Sequence, residues 1–155
     1  MTYHLDPTPM KLNSKASIQI QKPIAEVYEG IVAPEKMTQY FISESSGRLE
    51  TRKEVVWKFP EFPDRFPITE VVLEPNQSIS FRWDPETTVT ITLGSQPDNS
   101  TVVKVSEYGK ENNEANLEWL TSNAGGWANF LVCLKAYLEY GINLRKGAYQ
   151  FMMIE

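Results

Sequence analysis

The chain has 155 residues, of which 41% are hydrophobic and 23% charged, the composition and length of one globular domain able to bury its own core without a staple. A net charge of −5, with Arg52-Lys53 and Arg145-Lys146 as the only basic clusters, argues against nucleic acid, which needs a basic face. The single cysteine, Cys133, excludes an internal disulfide and a multi-cysteine metal site, and fits a reducing compartment; with no membrane-length apolar run and no signal-like core in residues 1–15, the expected location is the cytoplasm.

Residues 1–13, with Pro7 and Pro9, read as a loose arm. From Ser14, Ile18 and Ile20 share one face and Ser17, Gln19 and Gln21 the other, a half-buried strand. Pro23 suits the first turn of a helix, and Ile24, Val27, Tyr28 and Ile31 continue it at helical spacing. Pro34 starts a second short helix through Met37, Tyr40 and Phe41. Gly47–Glu50 is a weak strand candidate. Val55, Trp57 and Phe59 alternate with Val56 and Lys58. The aromatic-proline stretch Phe59–Pro67 reads as a connection, and as a candidate flap, because prolines do not fit a central ladder.

Ile68–Glu74 resumes the strand pattern, and Pro75-Asn76-Gln77 turns it. Ile79, Phe81 and Trp83 form the next alternating run, ended by Asp84-Pro85. Val89, Ile91 and Leu93 follow, then a turn at Pro97-Asp98-Asn99, then Val103 and Val105 up to Tyr108-Gly109. Short alternating strands at this spacing predict an antiparallel meander with one apolar face. Glu111–Glu118 reads as a polar loop. Thr121, Ser122 and Asn123 offer caps for a helix running to Tyr140, with Gly141 as its stop. Its apolar stripe of Trp127, Phe130, Leu131, Leu134, Tyr137 and Leu138 is about 120° wide, and it would span about 27 Å.

One element is long enough to cover the meander's apolar face, and sheets coil, so the expected fold is α+β: a curved antiparallel sheet of six or seven strands wrapped round the C-terminal helix, with two short helices after the first strand. The single domain is expected over residues 14–148, with 1–13 and 149–155 as arms. Several segments carry a resemblance. They are Pro23-Ile24-Ala25-Glu26-Val27-Tyr28 with Pro34-Glu35-Lys36-Met37; Val71–Asn76 with Ile79–Trp83; and Gly126-Trp127 with Leu134-Lys135 and Leu138-Glu139. Together they resemble the activator of Hsp90 ATPase homologue 1-like (AHSA1-type) family of the START/Bet v1-like (SRPBCC) superfamily, over roughly Ala16 to Gly141. The resemblance implies a helix-grip fold with an internal cavity. Two positions depart from the family pattern: Ser100-Thr101 stands for a Gly-Thr pair and Tyr40 for a frequent Trp.

The cavity candidates are the aromatic and aliphatic residues of the inward parity. On the strands these are Trp57, Phe59, Phe81, Trp83, Ile91 and Val105; on the helix they are Trp127, Phe130, Leu131 and Leu134. The same residues equally suit plain core packing. Glu70, Asp84 and Glu107 read as surface charges. Arg82 faces water if Phe81 and Trp83 face inward, and anchors an acidic ligand group if parity is reversed. Asn123-Ala124-Gly125-Gly126 is a weak anion candidate, its glycines more simply letting the helix pass close to the sheet. Cys133 reads as structural, since His4 is the only imidazole.

These residues suggest a non-enzymatic domain holding a small apolar or amphipathic molecule, without cofactor or metal. A contact domain for an Hsp90-type chaperone, implied by the resemblance alone, is the alternative; a cyclase- or hydrolase-like enzyme ranks last. Monomer and homodimer both remain open.

Overall fold

Period-two alternation becomes a seven-stranded antiparallel sheet in the computed structural model, which describes residues 10–153. The strands are β1 (Asn13–Ile20), β2 (Glu44–Ser45), β3 (Val55–Lys58), β4 (Arg65–Glu74), β5 (Ser78–Arg82), β6 (Thr88–Ser95) and β7 (Thr101–Tyr108). Their order, β1-β7-β6-β5-β4-β3-β2, places the first strand beside the last. Two short helices, α1 (Ile24–Val32) and α2 (Pro34–Met37), carry the chain from one edge to the other, and α3 (Leu117–Tyr140) lies along the inner face. This is the α+β helix-grip architecture. Residues 1–9 of the expected N-terminal arm, with His4, and residues 154 and 155 of the C-terminal one lie outside the described residues.

Register explains the core. Ile79 pairs with Ile91, and Ile91 with Val105, so three inward side chains form one buried row across β5, β6 and β7. Cross-strand rows of this kind are the unit of sheet stabilisation. The opposite parity carries Thr92 and Lys104, both exposed. A bulge between Thr69 and Val72, with Glu70 at φ 50°, shifts the inward set of β4 from Phe66 and Ile68 to Val71 and Leu73. One extra residue changes which side faces the core.

Three boundaries differ from the expectation. Gly47–Glu50 forms no strand; Leu49 instead donates its N–H to Val32 O (3.2 Å) and is buried in the core. β4 begins at Arg65 and contains Pro67. Proline is tolerated there because β5 ends at Arg82, opposite Thr69, so β4 has a ladder partner on one side only at Pro67. The third difference is the largest. α3 starts at Leu117, six residues before the expected cap, and its 24 residues span about 36 Å. The capping occurs upstream, where the Asn113 side chain accepts from Asn116 N–H at 3.0 Å and closes the 3-10 turn Glu114–Asn116 that feeds the helix. Thr121 lies inside the helix, its hydroxyl donating to Leu117 O (3.2 Å).

Candidate functional site

The early start of α3 divides that helix into two unlike halves. In the C-terminal half Trp127, Phe130, Leu131 and Leu134 are buried against the sheet. Outward residues tether the same half to β1: Lys135 Nζ donates to Gln19 O (2.8 Å), and Gln21 N–H donates to Glu139 (2.9 Å). The N-terminal half presents Trp119, Ser122, Asn123, Gly125 and Gly126 to a pocket of about 620 Å³. Phe59 and Phe62 of the β3–β4 connection face them, with Phe41 beyond α2 and Trp83 beyond β5.

The chain itself returns to complete the wall. Gly141 ends α3 in the left-handed conformation (φ 67°), its N–H donating to Tyr137 O at 2.9 Å. Arg145, Tyr149 and Met152 of the following segment then line the pocket. Arg145 Nη1 pairs with Glu61 Oε1 at 2.6 Å, largely buried at 12% and 5% side-chain exposure. Its guanidinium lies 5.0 Å from the ring centre of Tyr149, 5.4 Å from Phe59 and 5.8 Å from Phe41. An ion pair enclosed by aromatic faces thus pins the C-terminal segment to the β3–β4 connection.

Glu107 organises the inner end of the site. It shares the inward parity of Val103 and Val105 on β7 and is only 1% exposed, which corrects its expected place on the surface. Oε1 accepts from Asn123 Nδ2 (2.9 Å) and Trp127 Nε1 (3.0 Å). Oε2 accepts from Thr87 Oγ1 (2.8 Å) and Trp83 Nε1 (3.1 Å). A buried carboxylate is tolerated when its lone pairs are met in this way. The two indoles it holds are stacked, with ring centres 5.3 Å apart and planes at 26°. Both oxygens are occupied, so Glu107 acts here by orienting three side chains of the pocket wall.

Of the ten cavity candidates, Phe59, Trp83 and Trp127 line the pocket. Trp57, Phe81, Ile91, Val105, Phe130, Leu131 and Leu134 lie in the adjoining core, each 2% exposed or less. The expected cavity set lacked Phe41, Trp119, Arg145, Tyr149 and Met152, while Phe62 was expected only within the candidate flap and Asn123 only within the anion candidate. Parity along β7 carried a signal for Glu107; nothing in the periodicity marked the residues after Gly141. Glu70 is exposed, and Asp84 meets Lys110 Nζ at 3.2 Å. Arg82 points away from the core, donating through Nε to Thr87 O (3.0 Å) and through the guanidinium to Pro85 O and Glu70.

Gly125 and Gly126 behave unlike the expectation. They lie mid-helix, where amides are already bonded within the helix, and an added Cβ would meet nothing within 4 Å at either. Close packing on the sheet therefore does not explain them. Each lowers helix stability by about 1 kcal/mol relative to alanine. Cys133 is buried, and burial pushes its thiol pKa up, which opposes thiolate chemistry. Among the described residues no group of His, Cys, Asp and Glu is placed to hold a metal ion, and no helix is long and apolar enough to cross a membrane.

Comparison with known proteins agrees with this geometry. Protein SSP2350 from Staphylococcus saprophyticus is similar in structure, with a TM-score of 0.77 and 30% identity over 86% of this chain and 96% of that one. DynU16, from the dynemicin biosynthetic locus, superposes with a TM-score of 0.73 at 26% identity, over 83% of this chain and 48% of its own. The Aha1 dimer of Colwellia psychrerythraea shares the fold, with a TM-score of 0.70 at 19% identity over 84% and 98% of the two chains. No curated protein matches the sequence. The family model described as "Activator of Hsp90 ATPase homolog 1-like protein" matches residues 21–139, more than half of the chain, and the chain belongs to that family.

Proposed function

We propose that this chain is a non-enzymatic binding domain that holds a small apolar or amphipathic molecule between the N-terminal half of α3 and the β3–β4 connection. One observation carries the reading. The helix and sheet are packed solidly along the C-terminal half of α3, yet a pocket of about 620 Å³ with an aromatic wall lies at the other half. Pockets of this size and lining suit small ligands. Occupation of both Glu107 oxygens by internal donors supports a binding role over acid–base chemistry, because a general acid or base must reach its substrate.

Titration with an uncharged apolar dye such as Nile red tests this. Saturable binding at one dye per chain is expected, and a charge at the rim, Phe62→Glu, should abolish it while leaving the melting transition in place. Absence of saturable binding to the wild-type chain would remove the proposal. Family membership supports a second reading, contact with an Hsp90-type chaperone. Its test is co-precipitation with a bacterial Hsp90 and measurement of that chaperone's ATPase rate; no association and an unchanged rate would dismiss it.

A further inference from the structure

The two glycines in the middle of α3 weaken the helix without relieving any contact. Gly126 lies on the strip of α3 that also carries Trp119, Ser122 and Asn123, and both it and Gly125 border the pocket. Two other glycines of this chain have visible steric reasons. A Cβ on Gly109 (φ 140°) would fall 2.1 Å from Glu86 O, and one on Gly30 would meet Leu138 Cδ2 at 3.2 Å. At Gly125 and Gly126 the space above the backbone is open. The rest of the pocket wall carries flat rings, among them Phe59, Phe62 and Trp83, whose indole stacks on that of Trp127 next to Gly126.

We infer that Gly125 and Gly126 form a bare backbone shelf that seats a planar, uncharged multi-ring molecule against the aromatic wall, with the flat shape selected by the missing side chains. This rests on the pocket being a binding site and names the class of its occupant. A planar body stacks on aromatic faces and needs a flat opposing surface at van der Waals distance, which a helix offers only where side chains are absent. Charge argues against an anion. Arg145 lines the pocket and is already paired with Glu61; the adjoining cavities add Glu107 and Asp84 on one side and Lys146 on the other, three carboxylates to two cations in all.

The test uses calorimetric titration of the full chain with hydroxymethylanthracene, dodecanol and anthracenecarboxylate, on the wild type, Gly126→Ala and Gly126→Leu. The planar alcohol should bind the wild type, weaken about tenfold with Gly126→Ala and show no saturable binding with Gly126→Leu. Dodecanol, which can bend round a methyl group, should change less than about threefold with Gly126→Ala. The carboxylate should bind more weakly than the planar alcohol. Gly126→Ala should also melt about 2–4 °C higher than the wild type, since it restores helix propensity. Unchanged affinity for the planar alcohol in both variants, or a lower melting temperature, overturns the shelf while dodecanol binding still upholds the pocket. Equal affinity for the carboxylate overturns the exclusion of anions. Failure of every probe to bind the wild type overturns the shelf and the proposed function together.

Discussion

The two halves of α3 face the same sheet and have opposite tasks. From Trp127 onward the helix is a core element: its large side chains fill the space to the strands, and Lys135 and Glu139 fasten its outer side to β1. Before Trp127 the residues it turns to the pocket are, apart from Trp119, small or polar, and they leave that space open. The difference teaches that a helix-grip fold can be held by half of its helix, freeing the other half to bear weak helix formers. Stability should therefore concentrate at one end and ligand response at the other.

Substitutions can break or sharpen that contrast. The largest loss is expected in the filled half: Phe130→Ala, removing a 1% exposed ring in contact with Phe41 and Tyr40, should destabilise by about 3–5 kcal/mol in chemical denaturation. Trp119→Ala in the open half should lose less than about 1 kcal/mol by the same assay; comparable losses would erase the distinction. Glu107→Gln comes next, at about 2–3 kcal/mol, because an amide nitrogen would be turned toward a pair of donors. Its indole N–H signals for Trp83 and Trp127 should shift in NMR spectra, whereas that of Trp119 should not. Arg145→Ala, which leaves the Glu61 carboxylate buried without its partner, should lose about 2 kcal/mol. The double variant Arg145→Met with Glu61→Gln should recover most of that loss.

The smallest effect is a pH dependence at the filled end. Burial pushes the Glu139 carboxyl up, but hydrogen bonds from Lys135 and Gln21 N–H, with the charges of Lys135 and Lys22, bring it below its ordinary value. A depressed carboxyl contributes stability above its unfolded pKa and loses it as pH falls through the folded one. Thermal melts of Glu139→Gln and wild type should therefore differ above about pH 4.5 and converge in more acid solution. A constant difference across that range would mean the carboxylate has no role in tethering α3 to β1.

Much of this fold was legible because burial is written in period two along the strands. Ile91 and Val105 fall in one row by parity alone, and the turns at Asn76 and Asn99 adopt the left-handed conformation that asparagine tolerates. The bulge at Glu70 was hidden, since β4 changes parity without any glycine to mark it. The start of α3 was hidden for a related reason: Thr121, Ser122 and Asn123 look like caps, while the effective cap is Asn113 within a polar stretch. The site suffered most. Its wall is assembled from residues distant in sequence, such as Phe41, Phe62 and Arg145, which only the folded sheet and the turn at Gly141 bring together. Glu107 was readable from parity, but a carboxylate is expected at the surface unless its donors are known beforehand.

The shared hydrogen-bond acceptor of Trp83 and Trp127 has an optical consequence. Two stacked indoles 5.3 Å apart, with planes skewed by 26° rather than parallel, couple their electronic transitions, so the native chain should show an exciton couplet in circular dichroism. Any molecule that wedges beside the pair, or any change that releases one indole N–H, would alter that band. Under the proposed binding role, that band would report occupation of the pocket without a label.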